Sequence, residues 1–306
     1  MKTALARVAG FAFAALALLS LAGCTTTFNA LVVPSDGYRV EADLAYGNGA
    51  RQKLDLYVPE GLTTPAPVIL FFYGGSWQSG DKATYRGVGQ ALASRGFIVA
   101  VADYRVYPEV RFPDFVDDGA QAVRFLRSAL KARGGDPSRL YLAGHSAGAH
   151  IAVMLASDPA YLRKIGGDFS WLRGVVGVAG PYDILPFKDK TLIEIFGGAN
   201  RAETQPVTFI DGKRPPMLLV TGDDDGTVSP RNTERMAERL KAVGSPVTVK
   251  IYPGVGHVGV ILSLWPGFRS KTTLREDIVD FVRGVEAGGW LCIRRSRLCC
   301  IVPSQD

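Results

Sequence analysis

The chain has 306 residues, 47% hydrophobic and 21% charged, a composition that excludes disorder and admits one large core. Its formal net charge is +6, with Lys2 and Arg7 in a leader that has no acid. No dense run of Lys or Arg follows, so no nucleic-acid partner is expected.

The opening MKTALARVAGFAFAALALLSLAGC has a basic start, an apolar run from Val8 to Leu19, then small residues and Cys24. That run is short for a bilayer span and reads as the apolar region of a signal peptide over residues 1–23. Residues 24–37 read as a tether, and 38–288 as one domain. RQKLDLYVP alternates Leu54, Leu56 and Val58, which suits a half-buried strand near a sheet edge. PVILFFYGG from Pro67, FIVAVADY from Phe97 and RLYLAGHS are continuous apolar runs, the pattern of strands buried on both faces. Helical spacing appears over 84–95, from Phe112 onward with Phe115, Val116, Val123, Phe125 and Leu126 near one face, and through 157. GVVGVAG, PMLLVTG and VTVKIYP supply further strands. A charged helix over 230–243 lies between the last two, and LREDIVDFVRGV closes the body. Strands alternating with helices predict an α/β fold, a mostly parallel central sheet of about eight strands with helices on both faces. The irregular stretch 181–215 predicts a small cap. The tail, 289–306, holds Cys292, Cys299 and Cys300, and the body has no Cys. Neither a disulfide framework nor a Cys/His metal pattern is therefore expected in the body.

The chemistry centres on LYLAGHSAGAHIA, where Gly144, Ser146 and Gly148 follow a buried run and precede a helical stretch. A nucleophile elbow needs this strand–turn–helix context, because small flanking residues let the backbones approach and lift the hydroxyl above the sheet edge. The N–H of Ala147, opening the helix, is placed to meet a developing oxyanion. A serine hydroxyl needs a base. Of the three histidines, His145 and His150 flank the elbow and read as packing or capping residues, whereas His257 follows the last strand in YPGVGHVG. An orienting carboxylate is expected between Ser146 and His257. LLVTGDDDGTVSP offers Asp223, Asp224 and Asp225; Asp225 is the first choice and Asp224 the second. The glycines of FFYGGSW, Gly74 and Gly75, are candidates for the rest of an oxyanion hole. Gly254, Gly256 and Gly259 spell G-x-G-x-x-G, but after the last strand rather than in the first βα unit, which argues against a dinucleotide.

YGGSW, DYRVYPEVRFPDFVDD, GHSAGAH, GDDDGTV and GVGH, in that order, resemble an α/β-hydrolase of the esterase/lipase group, close to carboxylesterases with an HGGGW-type loop and a GxSAG elbow. Tyr73 stands where that loop usually begins with His, and Ser76 where it has its third Gly. The resemblance implies a Ser146–His257–Asp225 triad, an acyl-enzyme, a small-molecule ester substrate and no cofactor or metal. LAGC resembles the lipobox of bacterial lipoproteins, which implies lipidation of Cys24 and anchoring in the cell envelope, at the outer membrane facing the periplasm. Three other readings stay open: a polysaccharide acetyl or feruloyl esterase, an amide hydrolase such as a formamidase or peptidase, and a catalytically inactive envelope binding protein.

Overall fold

A computed structural model describes Asn29 and residues 31–288. The expectations for the leader, Cys24 and the cysteine tail lie outside the described residues. Eight strands form one sheet: β1 Tyr38–Ala45, β2 Lys53–Pro59, β3 Ala66–Phe72, β4 Ile98–Ala102, β5 Gly135–His145, β6 Gly174–Val178, β7 Met217–Gly222 and β8 Val247–Tyr252. Their order is β1-β2-β4-β3-β5-β6-β7-β8, with β2 antiparallel to both neighbours and the rest parallel. The central strands are runs of Val, Ile, Leu and Phe because a parallel strand has no wet face to fill with polar residues.

Among the described residues, six α-helices lie between strands, α1 Arg86–Ala93, α2 Asp114–Ala129, α3 Ala147–Ser157, α4 Pro159–Lys164, α5 Lys190–Phe196 and α6 Arg231–Ala242, and two follow β8, α7 His257–Leu262 and α8 Leu274–Glu286. The α3 helix packs on β5 and β6 and carries α2, while α1 packs on β4 and meets α8. Every residue of α3 is buried, so its apolar surface runs all the way round the helix.

From β3 the chain crosses to β4 on one side, and from β5 it continues to β6 on the other. The loops leaving β3 and β5 therefore diverge, opening a crevice at the carboxyl ends of these adjacent strands. The carboxylate of Asp118 anchors the segment before it. It accepts from Arg105 Nη2 at 2.6 Å, from the Arg105 backbone N–H at 2.9 Å and from Gln52 Nε2 at 2.7 Å. The DYR and DD pieces of the sequence thus form one buried clasp.

Two expectations change. β1 forms an edge strand that no apolar run announces, because only Tyr38 of its eight residues is buried. The stretch 24–37 is not a free tether throughout. Asn29 and Val33 are buried, and Asn29 Nδ2 donates to the carbonyls of Ala83 and Thr84 while its Oδ1 accepts from Trp265 Nε1 at 2.9 Å. The stretch 181–215, expected as a small cap, buries Tyr182, Phe187, Phe196 and Ile210 and contains α5.

Candidate active site

Ser146 joins β5 to α3 at φ 54°, ψ −122°, a conformation that costs a non-glycine residue about 1–3 kcal/mol. Neighbouring structure holds it there. Its N–H donates to the Val178 carbonyl at 2.9 Å, and its carbonyl accepts from His150 N–H at 3.1 Å. A Cβ on Gly144 would meet the Gly148 carbonyl oxygen at 2.3 Å, and one on Gly148 would meet the Phe72 carbonyl oxygen at 2.1 Å. The glycines let β3, β5 and α3 converge under the serine.

His257 is the first residue of α7, after extended Gly256, so a helix start positions it where the sequence suggests a loop. Its Nδ1 lies 2.8 Å from Asp225 Oδ2. The other oxygen of Asp225 accepts the backbone N–H groups of Thr227 and Val228 at 2.9 and 2.8 Å. The Asp225 side chain is fully buried and that of His257 is 12% exposed. The carboxylate requires Nδ1 to carry the proton, which leaves Nε2 as a free base. The adjacent acids do other work: Asp223 Oδ1 accepts the Gly254 N–H at 2.7 Å, and the Asp224 N–H donates to the Val255 carbonyl.

The loop after β3 differs from expectation at one amide. The Gly74 N–H donates to the Tyr85 hydroxyl at 3.2 Å, so it is not free for an oxyanion. Gly74 itself presses on the elbow: a Cβ there would lie 3.0 Å from Ser146 Cβ. Among the described residues, the N–H groups of Gly75, Ser76 and Ala147 donate to no acceptor. Gly75 has φ 147°, and its Cβ would collide with the Ser79 carbonyl oxygen at 2.1 Å, so only glycine fits. Ser76 and Trp77 also have positive φ, 52° and 58°.

Tyr73 stacks on Tyr104 at 4.8 Å and on Tyr85 at 5.7 Å. Its hydroxyl accepts from Arg51 Nη2 at 2.7 Å and its carbonyl from the Tyr104 hydroxyl at 2.7 Å. Arg51 also donates to the carbonyls of Tyr104 and Gly80. Burial pushes the Tyr73 phenol far above its ordinary value and keeps it neutral. An aromatic stack and an arginine thus hold the loop that Tyr73 begins. Arg51 and Tyr85 carry no sequence motif that would single them out, whereas Tyr104 lies in the DYR piece.

His145 and His150 are buried, as packing residues should be. Burial lowers the pKa of His145 to about 3, helped by the nearby His257, and that of His150 to about 4. His145 does more than fill space. Its Nδ1 lies 3.2 Å from the Tyr85 hydroxyl and its Nε2 lies 3.1 Å from the His257 carbonyl. The two rings are 4.9 Å apart, which brings His257 beside the elbow. His150 Nε2 meets the Thr204 carbonyl at 2.8 Å, and its ring lies edge-on to Trp77 at 5.2 Å. Phe196 of the 181–215 stretch packs on both rings. An apolar groove of about 260 Å³ lies along α7, lined by Tyr85, Val258, Ile261, Leu262 and Trp265 among others; Val258 follows His257, while Ser146 and His257 themselves do not line it. Among the described residues, no group of three His, Cys, Asp or Glu side chains comes together around a metal-sized space.

The sheet order, the elbow and the acid–histidine pair define the α/β-hydrolase class. The chain belongs to the BD-FAE family, whose model matches residues 54–240. It is 30% identical over 275 residues to the probable isoprenylcysteine alpha-carbonyl methylesterase of Oryza sativa subsp. japonica, covering 81% of this chain and 65% of that protein. The chain thus spans less than two thirds of that relative's length. The thermophilic esterase Est2 of Thermogutta terrifontis is similar in structure, with TM-score 0.67 and 26% identity over 84% of this chain and 95% of that one. A truncated carbohydrate esterase from gut microbiota shares the fold, with TM-score 0.73 and 22% identity over 84% and 99% of the two chains.

Proposed function

We propose that the protein is a serine carboxylic-ester hydrolase with Ser146 as nucleophile, His257 as base and Asp225 as orienting carboxylate. The observation that carries this reading is the 2.8 Å bond between His257 and a buried Asp225, with the His257 ring 4.9 Å from the ring of His145, the residue that precedes a serine held at positive φ. His257 Nε2 takes the Ser146 proton as Oγ attacks the ester carbonyl. The Gly75 and Ala147 amides stabilise the resulting oxyanion, with the Ser76 amide beside them. His257 returns the proton to the departing alcohol, and an acyl-enzyme forms. Water deprotonated by His257 then releases the acid.

The apolar groove along α7 suits the apolar part of a small or short-acyl ester. The relatives named as methylesterases favour a small alcohol half. Hydrolysis of p-nitrophenyl acetate and butyrate by residues 25–306, beside Ser146→Ala, tests the reading. The variant should lose about 10⁴-fold or more in kcat. A variant with wild-type activity refutes the assignment of Ser146, and matched esters and amides separate an esterase from an amidase. We further propose, on the LAGC piece alone, that Cys24 is lipidated and anchors the protein in the cell envelope. Labelling with a palmitate analogue should mark the wild type and spare Cys24→Ser; an unlabelled wild type removes the anchor.

A further inference from the structure

The oxyanion loop and the base loop come from opposite ends of the chain, after β3 and after β8, yet both must sit within a fraction of an ångström of productive positions. Between them lie three polar groups in contact: the buried Gly74 N–H, the hydroxyl of half-buried Tyr85 and the buried His145 ring. Their proton directions follow from elementary donor and acceptor capacity. The His257 carbonyl only accepts, so His145 Nε2 carries the hydrogen. In a neutral ring Nδ1 must then accept, so the Tyr85 hydroxyl donates to it. The oxygen of Tyr85 is left to accept from Gly74.

We propose that Tyr85 and His145 are positioning residues that tie the oxyanion loop to the base loop through one directed chain: Gly74 N–H to Tyr85 Oη, Tyr85 O–H to His145 Nδ1, and His145 Nε2–H to the carbonyl of His257. This rests on the serine-hydrolase reading of the site. By engaging the Gly74 N–H, the chain turns that amide away from substrate and leaves its neighbour Gly75 as the donor. By holding the His257 backbone carbonyl at the start of α7, it fixes the base of the side chain whose Nδ1 Asp225 holds. Burial keeps His145 neutral throughout the ordinary working range, so the chain does not reverse with protonation. Tyr85 stays protonated for the same reason, its pKa raised to about 12 by burial. Neither residue touches the reacting atoms in this scheme.

The test is a set of three variants. Tyr85→Phe keeps the ring and removes the hydroxyl, leaving the Gly74 N–H and His145 Nδ1 without partners. His145→Phe removes both ring bonds. His145→Gln keeps one donor and one acceptor on one planar group. Tyr85→Phe and His145→Phe should each lower kcat about 10- to 100-fold, with KM changed less than about threefold. His145→Gln should recover most of the loss, and the double variant Tyr85→Phe/His145→Phe should be no worse than the poorer single one, because one chain is cut once. A purely structural role predicts lower thermal stability with kcat unchanged. Folded Tyr85→Phe with kcat within about twofold of wild type therefore overturns the proposal.

Nitrogen-15 spectra of the wild type give a second reading that needs no variant to fold. His145 should show the Nε2–H tautomer at neutral pH, and the Nδ1–H tautomer or the doubly protonated ring overturns the chain. Labelling by a fluorophosphonate separates the two levels of argument. An unlabelled wild type removes the serine-hydrolase reading and the proposal with it. A labelled wild type beside an unimpaired Tyr85→Phe removes the proposal alone.

Discussion

The two ends of the parallel strands are built differently. At the carboxyl ends the backbone is forced: Ser76, Trp77, Ser146 and Ala179 all have positive φ without being glycine. Polar groups are buried there as well, including His145, and among the described residues Trp77 Nε1 and His150 Nδ1 have no hydrogen-bond partner. At the amino ends the contacts are ionic and conventional. Arg139 pairs with Glu286, Tyr141 donates to Glu286 at 2.5 Å, and Arg133 pairs with Glu41 at 2.7 Å. A larger open hollow of about 480 Å³ lies at that end among Arg95, Arg139, Arg283 and Glu286. It is lined by charges of mixed sign and lacks a nucleophile beside a base, so size alone does not mark the site. The lesson is that the sheet supplies stability along its length, while the positive-φ strain of its parallel strands gathers at the edge where a serine must stand clear of its own backbone; unpartnered burial is shared between the ends, since Arg95 Nε at the amino end also has no hydrogen-bond partner among the described residues.

The largest effect expected at the strained end comes from Asp225→Asn. The amide oxygen still accepts from Thr227 and Val228, so the turn survives. What goes is the anion that holds the Nδ1–H tautomer of His257. A loss of about 10³- to 10⁴-fold in kcat is expected, with little change in the thermal midpoint. Steady-state kinetics beside a melting curve measure both, and a variant that keeps its rate removes Asp225 from the triad. Gly148→Ala comes next and breaks the fold of the same edge. Its methyl would enter the Phe72 carbonyl at 2.1 Å, a backbone collision that cannot be relieved by a rotamer. A destabilisation of about 3 kcal/mol is expected. A chemical-denaturation midpoint equal to wild type would mean that β3 and α3 are less tightly packed than they stand.

Much of this edge is legible in the sequence, for physical reasons that differ by residue. The strands β3, β4, β6 and β7 announce themselves because burial on both faces demands unbroken apolar runs. The elbow does so because only glycine fits at positions 144 and 148. Asp225 ranks first of three consecutive acids by its spacing from Gly222 and Val228, and the turn that points it at His257 is closed by the Thr227 and Val228 amides. The engagement of the Gly74 amide is invisible, because the hydroxyl that takes it belongs to Tyr85, eleven residues on and just before α1. The docking of Asn29 against Trp265 spans 236 residues, and no local signal reports a single polar contact over that distance. β1 is silent because an exposed edge strand has no apolar face to display.

Acidification sharpens the contrast between the two ends by a smaller amount. His145 and His150 have folded pKa values lowered by burial to about 3 and about 4, from an ordinary 6.5. The unfolded chain takes up these two protons as pH falls through 6.5, while the folded chain resists until about 4 and 3. Their contribution to stability is therefore complete above pH 6.5 and lost as pH falls from there towards 4. Each buried histidine adds a slope approaching about 1.4 kcal/mol per pH unit in that window. Thermal midpoints of the wild type should fall across it, and those of His145→Gln should fall less steeply. Parallel slopes for the two proteins would mean that His145 gains its proton in the folded state.

The smallest expected effect tests the division itself. Glu286→Gln weakens the clasp at the amino end: Gln still accepts from Tyr141 but no longer pairs as a charge with Arg139 and Arg173. The Glu286 side chain is 18% exposed, so solvent screens the pair and the cost should be only about 1 kcal/mol. Both kcat and KM should stay at wild-type values. β5 makes this a strict test, because Arg139 and Tyr141 lie on the same strand that ends at His145 and delivers Ser146. If relaxing the clasp let β5 slide, the elbow would move with it and kcat would fall together with the thermal midpoint. A stability loss with an unchanged rate instead locates the rigidity of the elbow in its own contacts, the Val178 carbonyl that holds the Ser146 N–H and the glycine packing against β3.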